Sequence, residues 1–200
     1  MSSDKLTIIL LRHGETVYNI EKRLQSPKDH LNEQGISQIK ELKEELSKFN
    51  FDHVISSDEK RASESAEIIC SWANKDFKQT PLIREKSSGD FSDKLVKDVD
   101  WSTVQGPFLE KKIPGGENVQ EVMVRALEFF RDLNKFKQGE TILVVSHGAF
   151  LRVLLGLIFH NNIQDYLLNY EFPNATYSII SRSSDGMWNS EKSNLVKKNG

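Results

Sequence analysis

A short apolar run, Leu6 to Leu11, ends abruptly in Arg12, His13 and Gly14. Its unbroken hydrophobicity, with Ile8 and Ile9 inside it, is that of a strand covered on both faces. Strands of this kind belong to parallel sheets sandwiched between helices, which places the chain in the α/β class. Arg12 and His13 then fall at the carboxyl edge of the sheet, where open α/β sheets bind ligands. Gly14 permits a tight turn and close approach of a ligand to the backbone. A guanidinium fork matches phosphate geometry and a neutral imidazole is a competent nucleophile, so the step suits an anionic substrate. The competing reading is a polar strand-end loop with Arg12 in a surface ion pair, and this motif alone does not separate the two.

The rest of the chain repeats the pattern. The polar stretch from Tyr18 to Asn32 reads as a loop. Asn32 is placed to cap a helix whose apolar positions are Ile36, Ile39, Leu42, Leu46 and Phe49, although Gly35 in its first turn lowers helix propensity. His53 to Ser56 reads as a strand, followed by the helix-start signal Ser56-Ser57-Asp58 and a helix over Lys60–Trp72 that carries Arg61 at its beginning. Thr80 to Arg84 reads as a further short strand. A stretch rich in glycine and proline follows, over about residues 86–116, and reads as a cover or binding loop. A helix returns from Glu117 to Phe136. Thr141 to Val145 is the second strongly buried strand; it ends in Ser146-His147-Gly148 and opens directly into a helix, Ala149–Phe159. A strand over Ala175–Ser181, an Asp185-Gly186 turn and a return strand through Trp188 close the pattern. The expectation is a single domain over residues 1–189, a three-layer α/β/α sandwich with a mostly parallel central sheet, followed by a disordered polar tail, 190–200.

Composition narrows the chemistry. With 27 Lys and Arg against 29 Asp and Glu, no global basic face argues for nucleic acid or an anionic membrane. An anion site must therefore be a local concentration of Arg, Lys and His. The lone Cys70 excludes an internal disulfide and a multi-cysteine metal site, and its apolar neighbours mark it as a small buried hydrophobe. The first residues lack the apolar core of a signal peptide. A membrane span across Thr141–Phe159 would bury His147 and Arg152 in hydrocarbon. A cytoplasmic protein is expected, and nothing in the sequence fixes its oligomeric state.

Two buried strands thus each end in a His-Gly step. In a parallel sheet both carboxyl ends share one edge, so His13 and His147 can meet. His147-Gly148 precedes a helix whose free backbone N–H groups favour an anion. Arg61 starts the helix after a third strand end and can reach the same edge. Such a cleft suits a phosphoryl group, with His13 attacking phosphorus and Arg12, Arg61 and protonated His147 holding the oxygens. Glu85 is the candidate acid for the leaving alkoxide and base for the water that follows; that task calls for a pKa raised by partial burial.

At these residues the chain resembles the histidine phosphatase superfamily, the phosphoglycerate mutase-like family. The matching pieces are Leu11 to Thr16 with Asn19, Ser56-Ser57-Asp58 through Arg61-Ala62, Glu85 followed by Gly89, Pro114 to Glu117, and Ser146-His147-Gly148, in the family's order. The resemblance implies the three-layer fold, no metal or other cofactor, and the roles given above. It also assigns Asn19 and Gln25 to the phosphoryl group. Gly148-Ala149 follows the second histidine where another branch carries an Asp, which favours Glu85 and the mutase and small-phosphatase branch. Asp90-Phe91-Ser92-Asp93 departs from the family's usual Trp-Glu-Gly, which puts substrate identity in doubt. The reading favoured is hydrolysis of a small phosphorylated metabolite; the alternatives are a phosphoglycerate mutase and a catalytically silent phospho-ligand module. His30, His53 and His160 lie in no metal spacing. Trp101, Phe108 and Lys111 either line the pocket or anchor the cover, and Glu15 is a rival acid whose position suggests local pairing instead.

Overall fold

The computed structural model describes residues 5–198. Six strands form the main sheet, ordered β3-β2-β4-β1-β6-β7. They are β1 (Leu6–Arg12), β2 (His53–Ser57), β3 (Lys78–Thr80), β4 (Thr141–Ser146), β6 (Tyr177–Arg182) and β7 (Trp188–Lys192). The first four run parallel to one another, and β6 and β7 add an antiparallel edge beside β1. β5 (Tyr170–Glu171) and β8 (Val196–Lys197) pair separately.

The alternation of side chains along β1 builds two cores. Leu6, Ile8 and Leu10 face one way and pack with α5 (Val119–Leu133) and α6 (Gly148–Ile158) through Val122, Ala126, Phe129, Phe150 and Leu154. Ile9 and Leu11 face the other way, against Ile39 of α2 (Glu33–Glu41), Leu46 of α3 (Lys43–Leu46) and Ala62, Ala66 and Ile69 of α4 (Lys60–Ala73). The sheet is covered on both sides, so the three-layer expectation and its parallel centre hold. α5 is started by a capping box between Asn118 and Glu121, which satisfies orphan N–H groups at its first turn.

Four local expectations fail, each for an identifiable reason. Thr80–Arg84 is not a strand: β3 stops at Thr80, and residues Pro81–Ile83 form a 3-10 turn. Pro81 lacks the N–H a ladder needs, and the Thr80 hydroxyl accepts from Leu82 N–H, so the chain turns. The tail assigned to 190–200 is partly structured: β7 runs to Lys192, Leu195 packs on the core, and β8 pairs with β5. Positions 199 and 200 of that stretch lie outside the described residues. The loop after Tyr18 holds part of a short helix, α1 (Val17–Glu21), capped by Thr16 and Asn19. The helix after Asn32 breaks at Leu42 into α2 and α3.

Gly35, a weak point by propensity, is explained by packing. A Cβ there would lie 2.1 Å from the Glu15 carbonyl oxygen, and one on Gly14 would lie 2.5 Å from the Gly35 oxygen. The two glycines let α2 press against the loop after β1. Helix propensity alone makes Gly35→Ala stabilising by about 1 kcal/mol. The backbone contact makes it destabilising instead, by about 1–3 kcal/mol. Urea unfolding distinguishes the two by sign, and a midpoint that rises would refute the contact.

Candidate active site

Strand register brings the two histidines together. Arg12 of β1 lies opposite Ser146 of β4, so His13 and His147 are the next residues out on adjacent parallel strands. Their ring centroids are 5.2 Å apart. His13 Nδ1 is 2.7 Å from the Gly14 carbonyl oxygen. A carbonyl only accepts, so Nδ1 carries the proton and Nε2 keeps its lone pair. Arg61 Nε–H donates to that Nε2 at 3.2 Å. Burial, then the positive charges of Arg61 and Arg12, hold His13 well below the ordinary imidazole range, so the ring is neutral.

Arg61 is buried and each of its three nitrogens has a partner. Besides His13, it donates to the Ser26 carbonyl at 2.9 Å and to Glu59 Oε2 at 2.9 Å. Arg12 donates to the Phe172 carbonyl at 2.6 Å. Its Nε has no partner, and burial brings its pKa down to about 10. Its guanidinium lies beside Gly148, where a Cβ would sit 3.4 Å away; the absent side chain keeps this cation close to the site.

Glu85 is in the site but not at a strand end; it follows the Pro81–Ile83 turn. Its Oε1 accepts from Lys86 N–H at 2.9 Å and Phe150 N–H at 3.3 Å, and its Oε2 accepts from Ala149 N–H at 3.2 Å. The helix N-terminus expected to hold substrate is thus occupied by this carboxylate. The expected rise in its pKa is reversed. Burial pushes the acid up, but His147, the backbone N–H groups and Arg61 together bring it below its ordinary value. At His147, expected as a cation, burial and Arg61 lower the pKa against the opposing pull of Glu59 and Glu85.

Glu59 escaped the sequence reading. Its Oε2 lies 2.9 Å from Arg61 Nη2 and 2.9 Å from His147 Nε2, and it accepts from Glu85 N–H at 3.1 Å. The contact with His147 is off the ring's bonding direction, and neither nitrogen of that buried ring has a directed hydrogen bond. Burial raises the Glu59 pKa, but His147, Arg61 and the Glu85 amide outweigh it and hold it at about 2. The available signal was weak, since an acid at a helix start is ordinary dipole compensation. Arg125 was missed as well. It pairs with Glu117 at 2.8 Å and donates to the carbonyls of Leu82, Arg84 and Glu85, which braces the segment carrying Glu85.

A cavity of about 360 Å³ opens over this cluster, lined by Gln25, Glu59, Glu85, Lys86, Gly116 and Arg125 among others. His13, Arg61 and His147 do not line it: each is 0% exposed, and Glu59, which does line it, lies 2.9 Å from both Arg61 and His147. Gln25 Nε2 donates to the Thr16 hydroxyl, and Asn19 Oδ1 accepts from Thr16 N–H and from Asn174. The two expected phosphoryl ligands are therefore tied to one loop. Glu15 holds Asn32 at 3.0 Å rather than entering the site. A second cavity of about 340 Å³, sharing Lys86, is lined by Trp101, Phe108 and Lys111. His30 pairs with Glu64 and His53 with Glu140, away from the histidine pair. No helix among the described residues is long and apolar enough to cross a membrane.

Fold and site together define a phosphoglycerate mutase-like α/β sandwich with paired histidines at one sheet edge. Residues 8–195 match the model of the histidine phosphatase superfamily (branch 1), and the chain belongs to that family. A protein of Enterobacter sp. (strain 638) described as a probable phosphoglycerate mutase GpmB is 32% identical over 160 residues, covering 76% of this chain and 74% of its own. Among solved structures, Bacillus stearothermophilus YhfR is 26% identical with a TM-score of 0.85, covering 94% of this chain and 96% of its own. A putative alpha-ribazole-5'-P phosphatase from Escherichia coli shares the fold at 23% identity, with a TM-score of 0.84 and coverage of 94% and 95%.

The depressed Glu59 carboxyl has a stability consequence. A group held at about 2 when folded, against 4.5 ordinarily, stabilises the fold above pH 4.5 and loses that contribution as pH falls toward 2. Glu59→Gln is expected to be less stable than wild type near neutrality, with the gap closing through this acid window. Denaturant titrations at stepped pH measure it; a gap independent of pH would contradict the assignment.

Proposed function

We propose that this chain is a phosphatase that hydrolyses phosphate monoesters of small molecules through a phosphohistidine intermediate on His13. One observation carries the reading: a buried, neutral imidazole with its Nδ1 proton pinned by Gly14 and its Nε2 lone pair aimed at Arg61, beside His147. A neutral imidazole with its lone pair held this way is a competent nucleophile.

His13 Nε2 attacks phosphorus as Arg61 Nε–H transfers its hydrogen bond to a phosphoryl oxygen. The ester P–O bond breaks, and the leaving oxygen takes the proton of the Glu85 carboxylic acid. Glu85 must be protonated for this, although the empty site depresses its pKa. The negative charge of the incoming phosphoryl group offsets the field of Arg61 and Arg12 and moves Glu85 and His147 back toward protonation. Water then gives a proton to Glu85 and attacks the phosphohistidine, releasing phosphate and restoring His13. Arg12, Arg61 and His147 stabilise charge on the phosphoryl oxygens in both steps. On this reading Asn19, Gln25 and Gly148 would also hold the phosphoryl group, Asn19 and Gln25 by exchanging their hydrogen bonds within the Thr16 loop.

Transfer within phosphoglycerate is the second reading, favoured by the name of the Enterobacter relative. Against it, the segment between Glu85 and Glu117 holds lysines but no arginine to grip a second phosphate. The cavity size suits a small molecule.

Wild type is expected to release p-nitrophenol from p-nitrophenyl phosphate and to give an acid-labile, base-stable phosphoenzyme in a rapid alkaline quench. His13→Ala should abolish both. Glu85→Gln should lower kcat by roughly 10²–10⁴-fold with little change in KM. Full activity in Glu85→Gln would remove that residue from the acid role, and phosphoglycerate isomerised without phosphate release would favour the mutase.

A further inference from the structure

Glu59 is the feature that the reaction as written does not use. Its carboxylate lines the cavity, whereas His13, Arg61 and His147 behind it have no exposure at all. Three groups surround its Oε2: Arg61 Nη2 and Glu85 N–H donate to it at 2.9 Å and 3.1 Å, and His147 Nε2 lies 2.9 Å away, off its bonding direction. Two of these are the groups assigned to hold phosphoryl oxygens. A dianion arriving among them meets a fixed like charge, which opposes its binding.

Resting on the phosphatase reading above, we propose that Glu59 is an internal anion that occupies the phosphoryl donors in the empty site and must swing away before a phosphoryl group can reach His13. It sets the affinity of the site for phosphate and hastens release of the product. The geometry supports the movement: Glu59 directly precedes α4, its backbone is extended, and only its side chain need rotate toward the open cavity. Removing it frees Arg61 and His147 for the ligand. The alternative role, a brace that orients Arg61, has the opposite sign, because loss of a brace weakens anion binding.

The test uses Glu59→Gln and Glu59→Leu with orthophosphate as the probe. Binding is read by calorimetry and by competitive inhibition of p-nitrophenyl phosphate turnover. Both variants are expected to bind orthophosphate roughly tenfold or more tightly. KM should fall, and kcat should fall with it as product leaves more slowly. Unchanged or weaker orthophosphate binding would overturn the proposal. Wild type supplies a readout that does not depend on either variant folding. A crystal soaked in orthovanadate should show the Glu59 carboxylate turned out of reach of Arg61 and His147; vanadate bound with Glu59 still on both groups contradicts the gate. A wild type that binds orthophosphate without hydrolysing any ester would instead defeat the phosphatase reading, leaving the calorimetric comparison to decide the role of Glu59.

Discussion

The hydrogen bond from Arg61 to His13 Nε2 is the constraint around which the site is arranged. It exists because three sheet-edge features coincide: β1 and β4 in register, α4 starting just after β2, and Gly14 turning the chain so that its own carbonyl holds Nδ1. Pinning both ring nitrogens leaves the imidazole one orientation. Surrounding it with buried cations removes the protonated form, which is what a nucleophile requires. An imidazole at the surface would titrate near neutrality and rotate freely.

Charge balance explains why such a site is stable without a ligand. Arg12 and Arg61 are buried cations, and buried unpaired charge is expensive. Glu59 and Glu85 offset them, while the His13 imidazole stays neutral. Each carboxylate also satisfies a second demand: Glu85 caps the α6 N-terminus, and Glu59 engages Arg61 and His147. Arg61 is thus matched internally by Glu59, and on the proposed reading a phosphoryl group would enter by displacing that carboxylate. On that reading the same exchange would move Glu85 back toward protonation and couple substrate arrival to readiness for proton transfer.

Much of this was legible in the chain. Two apolar runs ending in His-Gly are strong evidence for buried parallel strands, and a shared carboxyl edge then forces the histidines together. Arg61 followed from the helix start after β2. What failed was local and depended on tertiary partners. Pro81 turned a short apolar run into a 3-10 turn. Ser178 and the core captured part of a tail that composition marked as solvated. The sign of the Glu85 shift was missed because desolvation was counted without the three amides and the neighbouring cations. Glu59 was invisible because nothing in Ser57-Asp58-Glu59-Lys60-Arg61 says which of its charges turns inward. Gly35 looked like a propensity defect and is a packing contact.

The state of the His13 ring tests the whole construction most directly. Long-range proton–nitrogen NMR on histidine-labelled protein, assigned by loss of the signal in His13→Gln, reports which nitrogen carries a proton and at what pH. A neutral Nδ1–H tautomer that persists well below the ordinary value of 6.5 is the expected result. A ring that protonates near 6.5, or that carries its proton on Nε2, contradicts the account.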